Sequence, residues 1–137
     1  MALESMQNYL ANSVHLEGPL AEEVHEFMDH AGSRELRHAR RLAKRIKILD
    51  NRVPGSLELA RDQSYLQPPA DNRDLHTVIR GALTATDTAI THYQEMVRMT
   101  ESLDYVTQDL LIELLTEKRE QKKAFQQLLA RLPTGAR

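Results

Sequence analysis

From Leu20 to Leu49 apolar side chains return every three or four positions, at Leu20, Val24, Phe27, Ala31, Leu42, Ile46 and Leu49. That spacing is the period of an α-helix with one buried face. Continued through its gap, the rhythm lands on Glu35 and His38, so two polar residues stand on the face that should be covered. A chain organised around this helix needs other long helices to cover the stripe. It also needs partners for a carboxylate and an imidazole inside the core.

Three further stretches supply the cover. Leu3, Met6, Leu10 and Val14 recur at helical spacing and predict a first helix over about 2–17. Gly18-Pro19 breaks it, and Pro19 suits the first turn of the second helix, about 19–49, where its missing N–H is not needed. Leu75, Ile79, Ala82, Ala89, Tyr93 and Met96/Val97 predict a third over about 74–100, with Thr86 in the same stripe. Leu110, Leu114, Phe125 and Leu128 predict a fourth over about 105–131, with Gln121 in phase, Lys118 beside it and Leu132-Pro133-Thr134-Gly135 as terminator. Residues 51–73 form a connection longer than ordinary loops, with a short helix expected at Ser56–Asp62. Such a span runs the length of a bundle and frees the helices it joins from being antiparallel neighbours. The fold class is therefore all-α: a single domain over 1–137, a four-helix bundle with a long crossover between its second and third helices.

Composition removes several function classes. There is no Cys, which excludes disulfides, zinc ribbons, iron–sulfur ligation and thiol catalysis. Five Gly and five Pro suit long helices rather than a turn-rich β fold. A net charge of −2 argues against a dedicated nucleic-acid binder. No run approaches the ~18 apolar residues of a membrane span. The start, Met1 to Ser5, has neither basic nor apolar signal-peptide regions, so a soluble, cytoplasmic protein is the expectation.

Glu35-Leu36-Arg37-His38 is an E-x-x-H pair, which sets a carboxylate and an imidazole side by side on one helix face. Di-iron carboxylate bundles take one such pair from each of two helices and one Glu from each of the other two. Carboxylate oxygen with imidazole nitrogen suits iron, manganese or zinc. The same pair also serves as a buried Glu and His hydrogen-bonded to each other or to backbone, and the motif alone does not separate the two readings.

Several runs resemble the bacterioferritin-like small ferritins. SVHLEGPLAEE from Ser13 to Glu23 is similar to the end of their first helix and start of their second. ELRHA from Glu35 followed by LAKRI from Leu42 resembles their metal-binding second helix. YLQPP from Tyr65 resembles their crossover, and DYVTQDLLIELL from Asp104 the start of their fourth helix. The resemblance implies a ferritin-like bundle, and its metal ligands transfer position by position. Glu35 and His38 match the second-helix pair. Ala2 stands where the first-helix Glu is expected, and Glu4 lies nearby on a different face. Thr86 stands at the third-helix Glu, with Asp87 about 100° away around the helix. Lys118 and Gln121 occupy the fourth-helix pair. Leu36 takes the place of the haem-ligating Met, so no haem is expected, and Met6 and Met28 read as core filling.

The resemblance thus implies a shell subunit for iron storage or structural assembly, with most ferroxidase ligands lost and an enzyme role disfavoured. Without three carboxylates and a His, Glu35 would be a buried unpaired charge. Pairing with Lys118 resolves that, with Gln121 hydrogen-bonded to His38; the alternative is that Lys118 reaches solvent along its stem. Glu35, His38 and Glu117 or Glu120 form a residual metal site in a competing reading. Two further functional readings remain: an iron-oxidising ferritin with non-standard or inter-subunit ligands, and a metal-free interaction protein. The second helix carries acids early (Glu22, Glu23, Glu26, Asp29) and bases late (Arg34 to Lys47). That polarity suits an antiparallel two-fold dimer through the first and second helices. A solvated face and a DNA-binding patch are the rival readings, the last disfavoured by the nearby acids. The family implies a closed shell, and the short stretch after the fourth helix favours about twelve subunits, with an active ferritin paralogue as a candidate partner.

Overall fold

The computed structural model describes residues 1–133. Residues 134–137, the end of the 1–137 span, and with them the Thr134-Gly135 part of the terminator, lie outside the described residues. Four helices carry the chain: α1 (Ala2–Ser13), α2 (Ala21–Ile48), α3 (Leu75–Thr100) and α4 (Tyr105–Arg131). The crossover holds two single 3-10 turns, Ser56–Glu58 and Ser64–Leu66. α1 packs on α2 and α3 on α4, and the second 3-10 turn lies against α3 and α1. The result is an all-α bundle of two helical hairpins strapped by the crossover. No helix among the described residues is long and apolar enough to cross a membrane.

The helix ends follow local chemistry. α1 stops at Ser13 rather than Glu17 because its last turn is capped by side chains. Ser13 Oγ donates to the Leu10 carbonyl at 2.8 Å, and His25 Nδ1 lies 2.7 Å from the Ser13 carbonyl. The chain then turns away, and the Glu17 N–H donates to the Asn72 carbonyl at 3.0 Å. α2 starts at Ala21 rather than Pro19, since Gly18 (φ 97°) and Leu20 (φ 67°) both take left-handed conformations around Pro19. A residue other than Gly is rarely placed there. α3 and α4 begin on matching caps. Asp74 accepts from the Thr77 N–H and Asp104 from the Thr107 N–H, at 3.2 and 3.0 Å. Arg45 of α2 also donates to Asp104 at 3.1 Å, which ties the end of α2 to the start of α4.

The core has two apolar halves. Tyr9, Val24, Met28, Leu66, Ile79, Ala82, Phe125 and Leu128 build one, and Ala89, Tyr93, Leu111, Leu114 and Leu115 the other. On α2, α3 and α4 the residues between them in sequence are Glu35, His38, Thr86, Lys118 and Gln121, and all five are buried. Gly81 sets how closely the crossover lies on α3: a Cβ there would meet the Tyr65 carbonyl oxygen at 2.5 Å.

α1 overturns its expected facing. Its buried residues are Ser5, Asn8, Tyr9, Asn12 and Ser13. Most of the expected stripe points outward: Leu3 is 39%, Leu10 61% and Val14 56% exposed, while Met6 is half-buried. The cause is the crossover, whose covered backbone and amides need partners. Gln63 Nε2 donates to Ser5 Oγ at 2.7 Å and Asn8 Nδ2 to Gln63 Oε1 at 3.0 Å. Asn12 Nδ2 donates to the Leu66 carbonyl at 2.7 Å, and Glu4 accepts from the Gln63 N–H at 3.0 Å.

Candidate functional site

α2 carries Glu35 and His38 one turn apart, and α4 presents Lys118 and Gln121 opposite with the same spacing. The helical period alone puts each pair on one face. Lys118 Nζ is in ion-pair contact with Glu35 Oε1, and both side chains are nearly sealed from solvent, at 2% and 3% exposure. Lys118 therefore turns into the core and does not reach solvent along its stem. Its ammonium also donates to Gln121 Oε1 at 3.2 Å. Burial, then the charge of Arg34, push Lys118 down to about 7. The Glu35 carboxylate acts the other way by favouring the charged form.

His38 does not meet Gln121, which corrects the expected contact. Its Nε2 lies 3.3 Å from Glu117 Oε2. Glu117 is in turn held by Arg37 at 2.5 Å and faces Arg34 at 3.8 Å. Burial lowers His38 below the usual imidazole value; Glu117 opposes that shift, and Arg37 and Arg34 add to it. A neutral ring with Nε2 facing a carboxylate favours the tautomer with its proton on Nε2, which leaves the lone pair on Nδ1. Among the described residues, neither ring nitrogen of His38 nor Gln121 Nε2 makes a full hydrogen bond, Nε2 of His38 having only the 3.3 Å ion-pair contact with Glu117. Sequence reasoning named Glu117, with Glu120 as the alternative, as an acid that could join Glu35 and His38 in a residual metal site; the structure sets Glu117 rather than Glu120 against His38. The signal for its role was its place beside Lys118, at the flank of the buried stripe, where inter-helix ion pairs form.

The remaining expected ligand positions are filled by groups with other commitments. Thr86 is fully buried, and its hydroxyl donates to the Ala82 carbonyl at 2.7 Å. The Tyr9 phenol shares a hydrogen bond with Thr86, and burial raises it to about 12. Tyr93, below Thr86 on α3, is raised to about 12 by burial and then by the Glu117 charge. Ala2 lies at the start of α1 and lines a cavity of about 410 Å³ with Leu42, Tyr93, Met96 and Leu111. Asp87 points away and pairs with Lys122 at 2.8 Å. Glu120 is exposed and stays outside the layer. Leu36 is half-buried on α2, and Met28 is sealed in the apolar half beside Tyr9.

Chemically, the layer offers the Glu35 carboxylate in contact with an ammonium, the Glu117 carboxylate shared among Arg37, Arg34 and His38, and the one imidazole of His38. A di-metal carboxylate centre uses four carboxylates and two imidazoles. Among the described residues, no group of three or more His, Asp or Glu side chains is arranged to hold a metal ion. Among the described residues of one chain, this layer supplies fewer carboxylates and imidazoles than such a centre uses.

The outer face of α2 keeps its polarity. Glu22, Glu26 and Asp29 are exposed early, and Arg40, Lys44 and Lys47 late. Part of its charge is spent inside the chain, where Arg41 meets Glu113 at 2.7 Å and Glu23 meets Arg131.

A family model described as a ferritin-like domain matches residues 1–134. The chain is similar to the bacterioferritin-related protein of Bacteroides fragilis, a dodecameric thioferritin. That match has a TM-score of 0.83 and 24% identity, and covers 94% of this chain and 77% of that one. It is also similar to Dps from Thermosynechococcus elongatus, with a TM-score of 0.81, 21% identity, and 99% of this chain and 87% of that one covered. Among curated proteins none matches this sequence.

Proposed function

The chain belongs to the ferritin-like family, and on that premise we propose that it is a cytoplasmic shell subunit for iron storage or structural assembly. In this reading the iron-oxidising centre of its bundle is largely lost. The observation that carries the shell reading is the inverted α1. Its polar side faces the protein interior, while Leu3, Leu10 and Val14 face outward at 39%, 61% and 56% exposure. Apolar side chains at helical spacing on an outer face mark a contact surface. The acid-to-base polarity of the neighbouring α2 is self-complementary under a two-fold axis. A second copy packed antiparallel across α1 and α2 covers the stripe and sets acids against bases. One structural neighbour, the Bacteroides fragilis protein, is described as a dodecamer, which supports about twelve subunits here.

Light scattering on the purified protein tests the shell, with a particle of about twelve subunits expected and a monomer the outcome that overturns it. Oxygen consumption during Fe²⁺ addition tests the centre. The isolated homo-oligomer is expected to consume oxygen far more slowly than a working ferroxidase, and co-assembly with an active ferritin paralogue would supply the oxidation. The competing reading, an iron-oxidising ferritin with non-standard or inter-subunit ligands, draws support from the lone pair on His38 Nδ1. Rapid turnover abolished by His38→Ala would establish that reading instead.

A further inference from the structure

We infer that the Lys118 ammonium stands in for a metal cation in this bundle: it neutralises Glu35, ties α4 to α2, and closes the core to a divalent ion. The inference rests on side chains within one chain and holds whether or not the shell forms.

An ionised carboxylate as buried as Glu35, at 2% exposure, needs a counter-charge close by. In metal-carboxylate bundles the metal supplies it. Here Lys118 meets Glu35 from the facing helix and spends a second donor on Gln121 at 3.2 Å. Most of the layer's other polar groups are engaged as well, while Gln121 Nε2 has no partner among the described residues. Thr86 bonds the Ala82 carbonyl, and Glu117 is divided among Arg37, Arg34 and His38. His38 Nδ1 is the group in this layer that keeps an acceptor lone pair beside Glu35. A divalent ion would need Glu35 and His38 Nδ1 together. To take Glu35 it must displace the ammonium, which then either stays charged without a counter-charge in a sealed site or gives up its proton, and either course opposes the ion. Removing Lys118 reverses the balance. A carboxylate without a cation then lies next to an imidazole with a free lone pair, and this combination favours a divalent ion.

Co²⁺ alone is the probe, followed by its visible absorption and by titration calorimetry at neutral pH. The unmodified protein is expected to show no Co²⁺ site that depends on Glu35 or His38. Lys118→Ala is expected to gain one, with affinity higher on the order of tenfold or more. Adding Glu35→Gln or His38→Ala to that variant should abolish the site again. The thermal midpoint of Lys118→Ala should rise with Co²⁺ through preferential binding to the folded state, while that of the unmodified protein stays put. If Lys118→Ala does not fold alone, refolding in Co²⁺ should restore its helical circular dichroism. The charge-free Glu35→Gln/Lys118→Met protein should fold without the metal and ignore it. Two results overturn the inference. One is a Co²⁺ site in the unmodified protein that His38→Ala or Glu35→Gln removes. The other is a Lys118→Ala protein, folded directly or refolded in Co²⁺, that gains no site.

Discussion

A lysine at 2% exposure keeps its charge only beside an anion, and a glutamate at 2% exposure keeps its own only beside a cation. Each of Glu35 and Lys118 is therefore costly alone and tolerable together. Lys118→Ala should lose about 3–5 kcal/mol in metal-free urea unfolding, because it strands a buried carboxylate. Glu35→Gln/Lys118→Met should lose much less, since an amide and a thioether carry no charge to desolvate. An equal loss in both would mean that packing, not charge, dominates at this layer. The two buried tyrosines give a second readout. Tyr9 and Tyr93 are both raised to about 12, mainly by burial. The phenolate is therefore disfavoured in the folded state, and the contribution to stability is lost as pH rises from about 10, the unfolded value, toward 12. Tyr93→Phe should flatten the alkaline fall in stability, measured by urea midpoints across that range. An unchanged alkaline slope would show that the Tyr93 phenol is better solvated than its position implies.

At the scale of elements, the caps and the crossover contact are the parts most open to test. Asp104 accepts from Thr107 and Arg45, and these contacts hold its carboxyl at about 2, with the Thr107 hydroxyl the largest cause. A depressed carboxyl stabilises the fold above its unfolded value near 3.8, and that contribution is lost as pH falls through about 2. The stability gap between the unmodified protein and Asp104→Ala should therefore be flat above about pH 4 and narrow below it. Gly81→Ala sets two effects against each other. Alanine favours helix by about 1 kcal/mol, but its Cβ would meet the Tyr65 carbonyl oxygen at 2.5 Å. Backbone yields poorly, so a net loss of about 1–3 kcal/mol is expected in thermal or urea unfolding; a gain would show that the crossover moves freely. The same contrast explains what was legible in the sequence. α3 and α4 announced their buried faces because they pack on each other, and α2 did so in part, with Val24, Ala31, Glu35 and His38 buried but Leu49 exposed; Glu35, His38, Thr86, Lys118 and Gln121 could be placed by phase alone. α1 could not be read this way. Its inner face is covered by Gln63 and the Leu66 carbonyl, some 54 to 58 positions away, and these reward Ser5, Asn8 and Asn12 over leucine. Phase also put Gln121 beside His38 without showing that Lys118 would take the amide oxygen and Glu117 the imidazole. Those choices depend on how far α4 slides along α2.

At the scale of the whole molecule, the inversion of α1 has to be reconciled with solvent. Leu10 and Val14 are more exposed than Leu3, at 61% and 56% against 39%, and lie one turn apart on the side away from the crossover. A lone exposed leucine is ordinary, but a stripe in helical register on one short helix is not. The intramolecular alternative, rotating α1 to bury the stripe, would strand the Gln63 amide and the Leu66 carbonyl that Asn8 and Asn12 now satisfy. Each stranded group costs about 1–3 kcal/mol, so the crossover locks the stripe outward, and in the proposed shell a second copy covers it. In the proposed shell the same patch serves both partners, as a two-fold axis through α1 and α2 would provide. Leu10→Glu should therefore dissolve the assembly while leaving the subunit intact, because position 10 touches solvent rather than the core. Sedimentation or light scattering should show the large particle replaced by monomer, with helical circular dichroism and the urea midpoint of the isolated subunit close to unchanged. Glu4→Gln offers the converse control. It weakens the contact with the Gln63 N–H on the inner side and should lower stability at fixed particle size. If Leu10→Glu keeps the large particle, the stripe is not the subunit contact and the two-fold packing across α1 and α2 is wrong.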